Sequence, residues 1–116
     1  MLGEFEQVLN GVLSWHGATV RARHDELQFF AGRQTLGTLR WDGRLDVRLP
    51  ARLRTRLVAE GVAAHDPPGD GRSRGAVWFV RTAHDAQHAV WLLRLAYLLA
   101  REDRRAASSA FSGRTT

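Results

Sequence analysis

The amino-acid sequence predicts a single α+β domain, a mostly antiparallel five-stranded sheet with helices packed on one face, in the order α-β-β-β-β-α-β-α. Three observations predict it. Apolar residues recur at helical spacing near the start, the middle and the end of the chain. Short segments between them alternate apolar with polar residues, and Asp42-Gly43 stands between two of these segments as a hairpin signal. Consecutive hairpins make an antiparallel sheet, which needs cover on only one face.

Each element has its own signature. Leu2, Phe5, Leu9 and Val12 share one helical face, with Val8 and Leu13 beside them, so residues 2–14 read as an amphipathic helix ended by Gly17. Ala18, Val20 and Ala22 alternate with Thr19, Arg21 and Arg23 in a half-buried strand. His24-Asp25-Glu26 turns the chain into a second strand at 27–31, and Gly32-Arg33 turns it into a third at 35–41. Asp42-Gly43 suits the positive φ angles of a type I′ turn, and a fourth strand follows at 44–49 with Leu45, Val47 and Leu49 on one face. Pro50 suits the first turn of a helix over 51–60, and Gly61 suits the left-handed position past its end. Pro67-Pro68-Gly69-Asp70-Gly71 forces a loop before a fifth strand at 76–81. Thr82 and Asp85 have capping-box spacing at the start of a last helix over 83–101. Residues 1–101 form the expected domain, and 102–116 an expected basic, irregular tail.

Composition narrows the chemistry. The chain has no Cys, which removes thiolate nucleophiles, disulfides and Cys-ligated metal sites. The longest apolar stretch, 89–100, is interrupted by Arg94 and is too short to span a bilayer, so a soluble, cytoplasmic protein with no membrane partner is the expectation. The net charge is +5, yet all 17 basic residues are Arg and none is Lys, a pattern of genomic bias more than of phosphate recognition. This argues against a nucleic-acid partner.

Candidate groups are few. His84 and His88 have the i, i+4 spacing of a helical metal pair, but no Glu completes a zincin pattern, and a third ligand would have to come from His65 or Asp66. The expectation is no metal and no cofactor. Gly69-Asp70-Gly71-Arg72-Ser73-Arg74-Gly75 lacks the Lys and the following helix of a phosphate loop. Arg48, Arg52, Arg54 and Arg56 read as a solvated face, because positive charge opposes the dipole of a helix N-terminus. His65 opens the irregular loop just ahead of the Trp78 strand, where it serves either as a general base or as a tie for its loop. Trp91 and Leu98 stand on the polar side of the last helix, which suggests a homodimer contact unless the first helix covers them.

The segment Leu53-Arg54-Thr55-Arg56-Leu57-Val58-Ala59-Glu60-Gly61-Val62-Ala63-Ala64-His65 resembles the helix-Gly-x-x-x-His portion of the luciferase-like domain family, the domain of fungal luciferase and of small bacterial proteins. Trp78 and the run Ala89-Val90-Trp91-Leu92-Leu93-Arg94-Leu95-Ala96-Tyr97 are similar to that family's Trp-bearing strand and closing helix. Members usually carry one or two His where this chain reads Leu39-Arg40-Trp41-Asp42-Gly43, and Ser-Gly-Trp where it reads Ala76-Val77-Trp78. The resemblance implies a small-molecule-binding domain for an aromatic or polyketide-like ligand, in the manner of a cofactor-independent oxygenase. The expected pocket lies near His65, as the catalytic residue, with Trp41, Trp78 and Tyr97 as ligand-binding walls, since aromatic walls with one or two polar groups suit such a ligand. The alternative is a non-enzymatic homodimeric interaction module using Trp91 and Leu98.

Overall fold

A computed structural model describes residues 2–64 and 75–112, with side chains over 3–64 and 75–104. The elements are α1 (Leu2–Leu13), β1 (Ala18–Ala22), β2 (Glu26–Ala31), β3 (Gln34–Arg40), β4 (Arg44–Arg48), α2 (Ala51–Ala59), β5 (Gly75–Phe79) and α3 (Ala83–Ser112). The order is the expected one. The strands form one open sheet, β1-β2-β3-β4-β5, with every neighbouring pair antiparallel.

Alternation decides which face is covered. Leu27, Leu39, Leu45 and Trp78 fall in one cross-strand row, and Val20, Phe29, Gly37, Val47 and Ala76 in the next. Phe29, Leu39, Leu45 and Val47 are fully buried there against Ala86, Ala89, Leu92 and Leu93 of α3. The other face carries Arg21, Gln28, Thr38 and Asp46 in a polar row. A register shift at Phe29/Phe30 leaves Leu36 as an extra residue of β3, and this bulge lets Leu36 join the core at 1% exposure.

Two turns show how local chemistry sets the frame. At the β3–β4 hairpin only Gly43 has a positive φ, +97°, and no non-glycine residue does, so the turn is not the type I′ that Asp42-Gly43 suggests. Gly43 N–H donates to Arg40 O at 2.9 Å, and Arg44 N–H donates to Asp42 Oδ1 at 3.0 Å. This is the longer loop in which a type I turn ends on a left-handed glycine. After α2, Gly61 has φ +76°, its N–H donates to Val58 O at 3.1 Å, and Val62 N–H donates to Leu57 O at 3.0 Å. The pair of bonds is a Schellman cap, which satisfies two carbonyls that the helix end would otherwise leave open. Ala64 then bridges to Val77 at the edge of β5.

The start of α3 is the reciprocal cap that Thr82 and Asp85 suggest. Asp85 N–H donates to Thr82 Oγ1, and the N–H groups of Arg81 and Thr82 donate to Asp85 Oδ2, each at 3.1 Å. The sequence reading closes this helix near residue 101, whereas the structure carries it on to Ser112. Arg104 Nη2 donates to Ala31 O at 3.0 Å, tying the extension to the end of β2. No helix among the described residues is long and apolar enough to cross a membrane.

Candidate functional site

The aromatic residues singled out by sequence fall into three separate environments. Trp41 sits in the β3–β4 turn, 46% exposed, with its ring 5.7 Å from Phe5 and its Nε1–H donating to His24 O at 3.2 Å. Tyr97 is 1% exposed on the α1 side of α3, where its hydroxyl donates to His16 O at 2.6 Å. Its ring lies 5.2 Å from Trp15, and the Arg94 and Arg101 guanidiniums stand 5.0 and 5.8 Å from its centre. Trp78 lies on β5, an edge strand of the sheet. No ring contact joins any two of Trp41, Trp78 and Tyr97 among the described residues. His65 lies outside the described residues, as does Asp66.

What the structure does assemble is a cluster around His88. One helical turn separates His88 from Trp91 on α3, and β5 brings Trp78 against them. The imidazole centre is 4.2 Å from the Trp78 ring and 5.4 Å from the Trp91 ring, the latter nearly parallel at 23°. His88 Nε2 is 2.7 Å from Val62 O. A carbonyl only accepts, so Nε2 carries the proton, and in the neutral ring Nδ1 is left as an acceptor. The Schellman cap is what delivers Val62 to this position. A Gly at 61, a helix end, a carbonyl and an imidazole thus form one causal chain.

Asp85 stands one turn before His88 and supports the same cluster from below. Burial pushes its carboxyl pKa up, but the Arg81 N–H, the Thr82 hydroxyl and the Thr82 N–H outweigh that and hold it below its ordinary value. The Trp78 indole N–H adds to the same effect. That N–H is buried and meets no acceptor at hydrogen-bonding geometry, so it reaches Asp85 as a dipole rather than as a formed bond. Trp91, by contrast, is 46% exposed. The cluster therefore offers an accessible indole, a half-buried imidazole with one free acceptor, and a second indole locked beneath.

The other candidates resolve less sharply. His84 is exposed, His88 has committed Nε2 to Val62, and among the described residues no three metal-ligating side chains converge. Arg52 and Arg56 of α2 are exposed, and Arg56 pairs with Glu60 at 3.4 Å. An open cleft of about 240 Å³ lies where Arg48 and Pro50 meet α3, lined also by Thr35, Leu99 and Asp103, and of the sequence-selected residues only Arg48 lines it. Trp91 and Leu98 are 46% and 43% exposed, so α1 does not cover them.

Comparison with family models, curated proteins and solved structures finds no match to this chain. The resemblance to the luciferase-like family therefore rests on the motifs quoted above alone.

Proposed function

We propose that the chain is a small-molecule-binding domain of luciferase-like type, whose site is the Trp78–His88–Trp91 cluster. The observation that supports it is the half-buried His88 ring held between two indoles, with Nε2 anchored and Nδ1 left to meet a ligand. Stacked rings with one oriented polar atom suit a flat aromatic molecule bearing a hydroxyl, and an aromatic face adds about 0.5–1.5 kcal/mol per stacked pair beyond burial. The family resemblance adds His65 as the group that would abstract a proton in an oxygenase-type reaction. Trp41 and Tyr97 have no part in this reading, because each serves its own corner of the fold.

The test is a thermal-shift and tryptophan-fluorescence titration with hydroxylated pyrones. Binding at 100-fold excess over Kd raises stability by about 2.7 kcal/mol, which such an assay detects readily. Trp91→Ala, at an exposed position, should keep the melting temperature of the free protein and abolish the shift. A shift that survives in Trp91→Ala, or none with any probe, sinks the assignment. His65→Gln should leave the fold and binding intact and remove turnover of any pyrone that is consumed.

A second reading has its own observation. Trp91 and Leu98 expose large apolar side chains on one side of α3, as an interaction module requires. Sedimentation of the wild type against Leu98→Glu tests it while keeping all three rings of the cluster, and a wild-type monomer at micromolar concentration rules it out.

A further inference from the structure

Helix α3 buries Leu93 and Ala100 against the domain and turns the opposite side outward. On that outward side His84, His88, Trp91, Leu95, Leu98 and Glu102 follow one another at alternating steps of four and three residues. This is the spacing of a coiled-coil seam, in which one stripe of a helix faces a partner helix over several turns. His84 and Glu102 at its ends are exposed, Trp91 and Leu98 are 46% and 43% exposed, and His88 and Leu95 are half-buried. The seam is apolar in the centre, with an imidazole at one end and a carboxylate at the other.

From this order of groups we infer that a second copy of the chain seats antiparallel along α3, with the two-fold axis near residue 93. The inference rests on the interaction reading of Trp91 and Leu98. In this register Trp91 meets Leu95 of the second copy, His88 meets its Leu98, and His84 meets its Glu102. Apolar groups pair at the centre, and at both ends an imidazole N–H faces a carboxylate acceptor. A parallel arrangement would stack His84 on His84 and Glu102 on Glu102. An antiparallel arrangement shifted by one heptad would set the Trp91 indole against a carboxylate. Only the register centred on residue 93 satisfies the whole stripe.

The flanks are compatible. Arg94 comes nearest the axis on the α1 side, where like charges would oppose. Its guanidinium is drawn back onto its own domain, 5.2 Å from the Trp15 ring and 5.0 Å from the Tyr97 ring. On the other flank the seam passes over the His88 ring. Leu98 of the second copy therefore closes the solvent side of the Trp78–His88–Trp91 cluster, and each site is completed by both chains.

The chain has no cysteine, so single-cysteine variants report geometry cleanly. A mixture of His84→Cys and Glu102→Cys should form a cross-linked dimer under mild oxidation. Neither variant alone should cross-link, because like positions lie about 27 Å apart along antiparallel helices at 1.5 Å per residue. Leu98→Glu should weaken the dimer by at least about a hundredfold, which sedimentation equilibrium reads as a Kd change, and should stay folded with a melting temperature that no longer rises with protein concentration. Variants that each cross-link with themselves overturn the antiparallel register while the interaction reading stands. A wild-type monomer overturns both.

Discussion

Helix α3 carries two aromatic clusters about 13 Å apart along its axis at 1.5 Å per residue, and they are built on opposite terms. Around Tyr97 the central ring has its polar atom satisfied: the hydroxyl reaches His16 O, Arg94 and Arg101 lie over the ring, and the side chain is 1% exposed. Around His88 an indole N–H is buried without an acceptor, one imidazole nitrogen is left open, and Trp91 faces solvent. A cluster whose polar groups are all satisfied is a clamp. A cluster that leaves a nitrogen and a ring face unused has capacity to receive something. The contrast lies in hydrogen bonding and exposure, not in which aromatic residues are present.

The contrast makes ordered predictions about stability. Tyr97→Ala removes the whole clamp from a fully buried position and should cost about 3–5 kcal/mol, with Tyr97→Phe costing about 1–3 kcal/mol through the unpaired His16 carbonyl alone. Urea unfolding measures both, and a loss under 1 kcal/mol for the alanine variant would remove Tyr97 from the scaffold. His88→Phe keeps the ring packing and gives up one bond to Val62, for about 1 kcal/mol. A cost matching that of Tyr97→Ala would erase the distinction between the clusters.

The smallest effect concerns Asp85. Its folded pKa is held below the ordinary value, so its ionised form stabilises the cap above the carboxylate range, and that contribution is lost as pH falls through the folded pKa. Asp85→Asn should therefore be less stable than wild type near neutral pH, with the gap closing in acid. Thermal melts across that range decide the sign. A gap that widens on acidification would mean burial, rather than the Arg81 and Thr82 donors, controls this carboxyl.

Much of the fold was legible because its signals are local. Thr82 and Asp85 cap α3 through bonds three and four residues apart, Gly61 ends α2 through two bonds to its last turn, and alternation in 44–48 places Leu45 and Val47 in the core. The hairpin turn was legible in place but not in type, because Asp42 keeps a negative φ while its carboxylate accepts from Arg44. The site was harder. Trp78 was visible as a pocket candidate, but its partner His88 was visible only as half of a metal pair with His84, because a carbonyl 26 residues away orients that ring. The signal that could have found it is the i, i+3 pairing of His88 with Trp91 on one helical face. Trp41 and Tyr97, expected as pocket walls, each spend their polar atom on a backbone carbonyl of their own neighbourhood, a pairing that aromaticity alone does not reveal.

The sheet is a meander in which every strand pairs with the strand made just before it. Hydrogen-bonding partners for all five strands exist by the time Phe79 is synthesised, yet the lid for their apolar face, α3, begins only at Ala83. Leu27, Phe29, Leu39, Leu45 and Val47 lack that lid until α3 has been made. Frameshifts or stops after β5 would release a paired but lidless sheet, a substrate for chaperones and proteases rather than a smaller version of the domain.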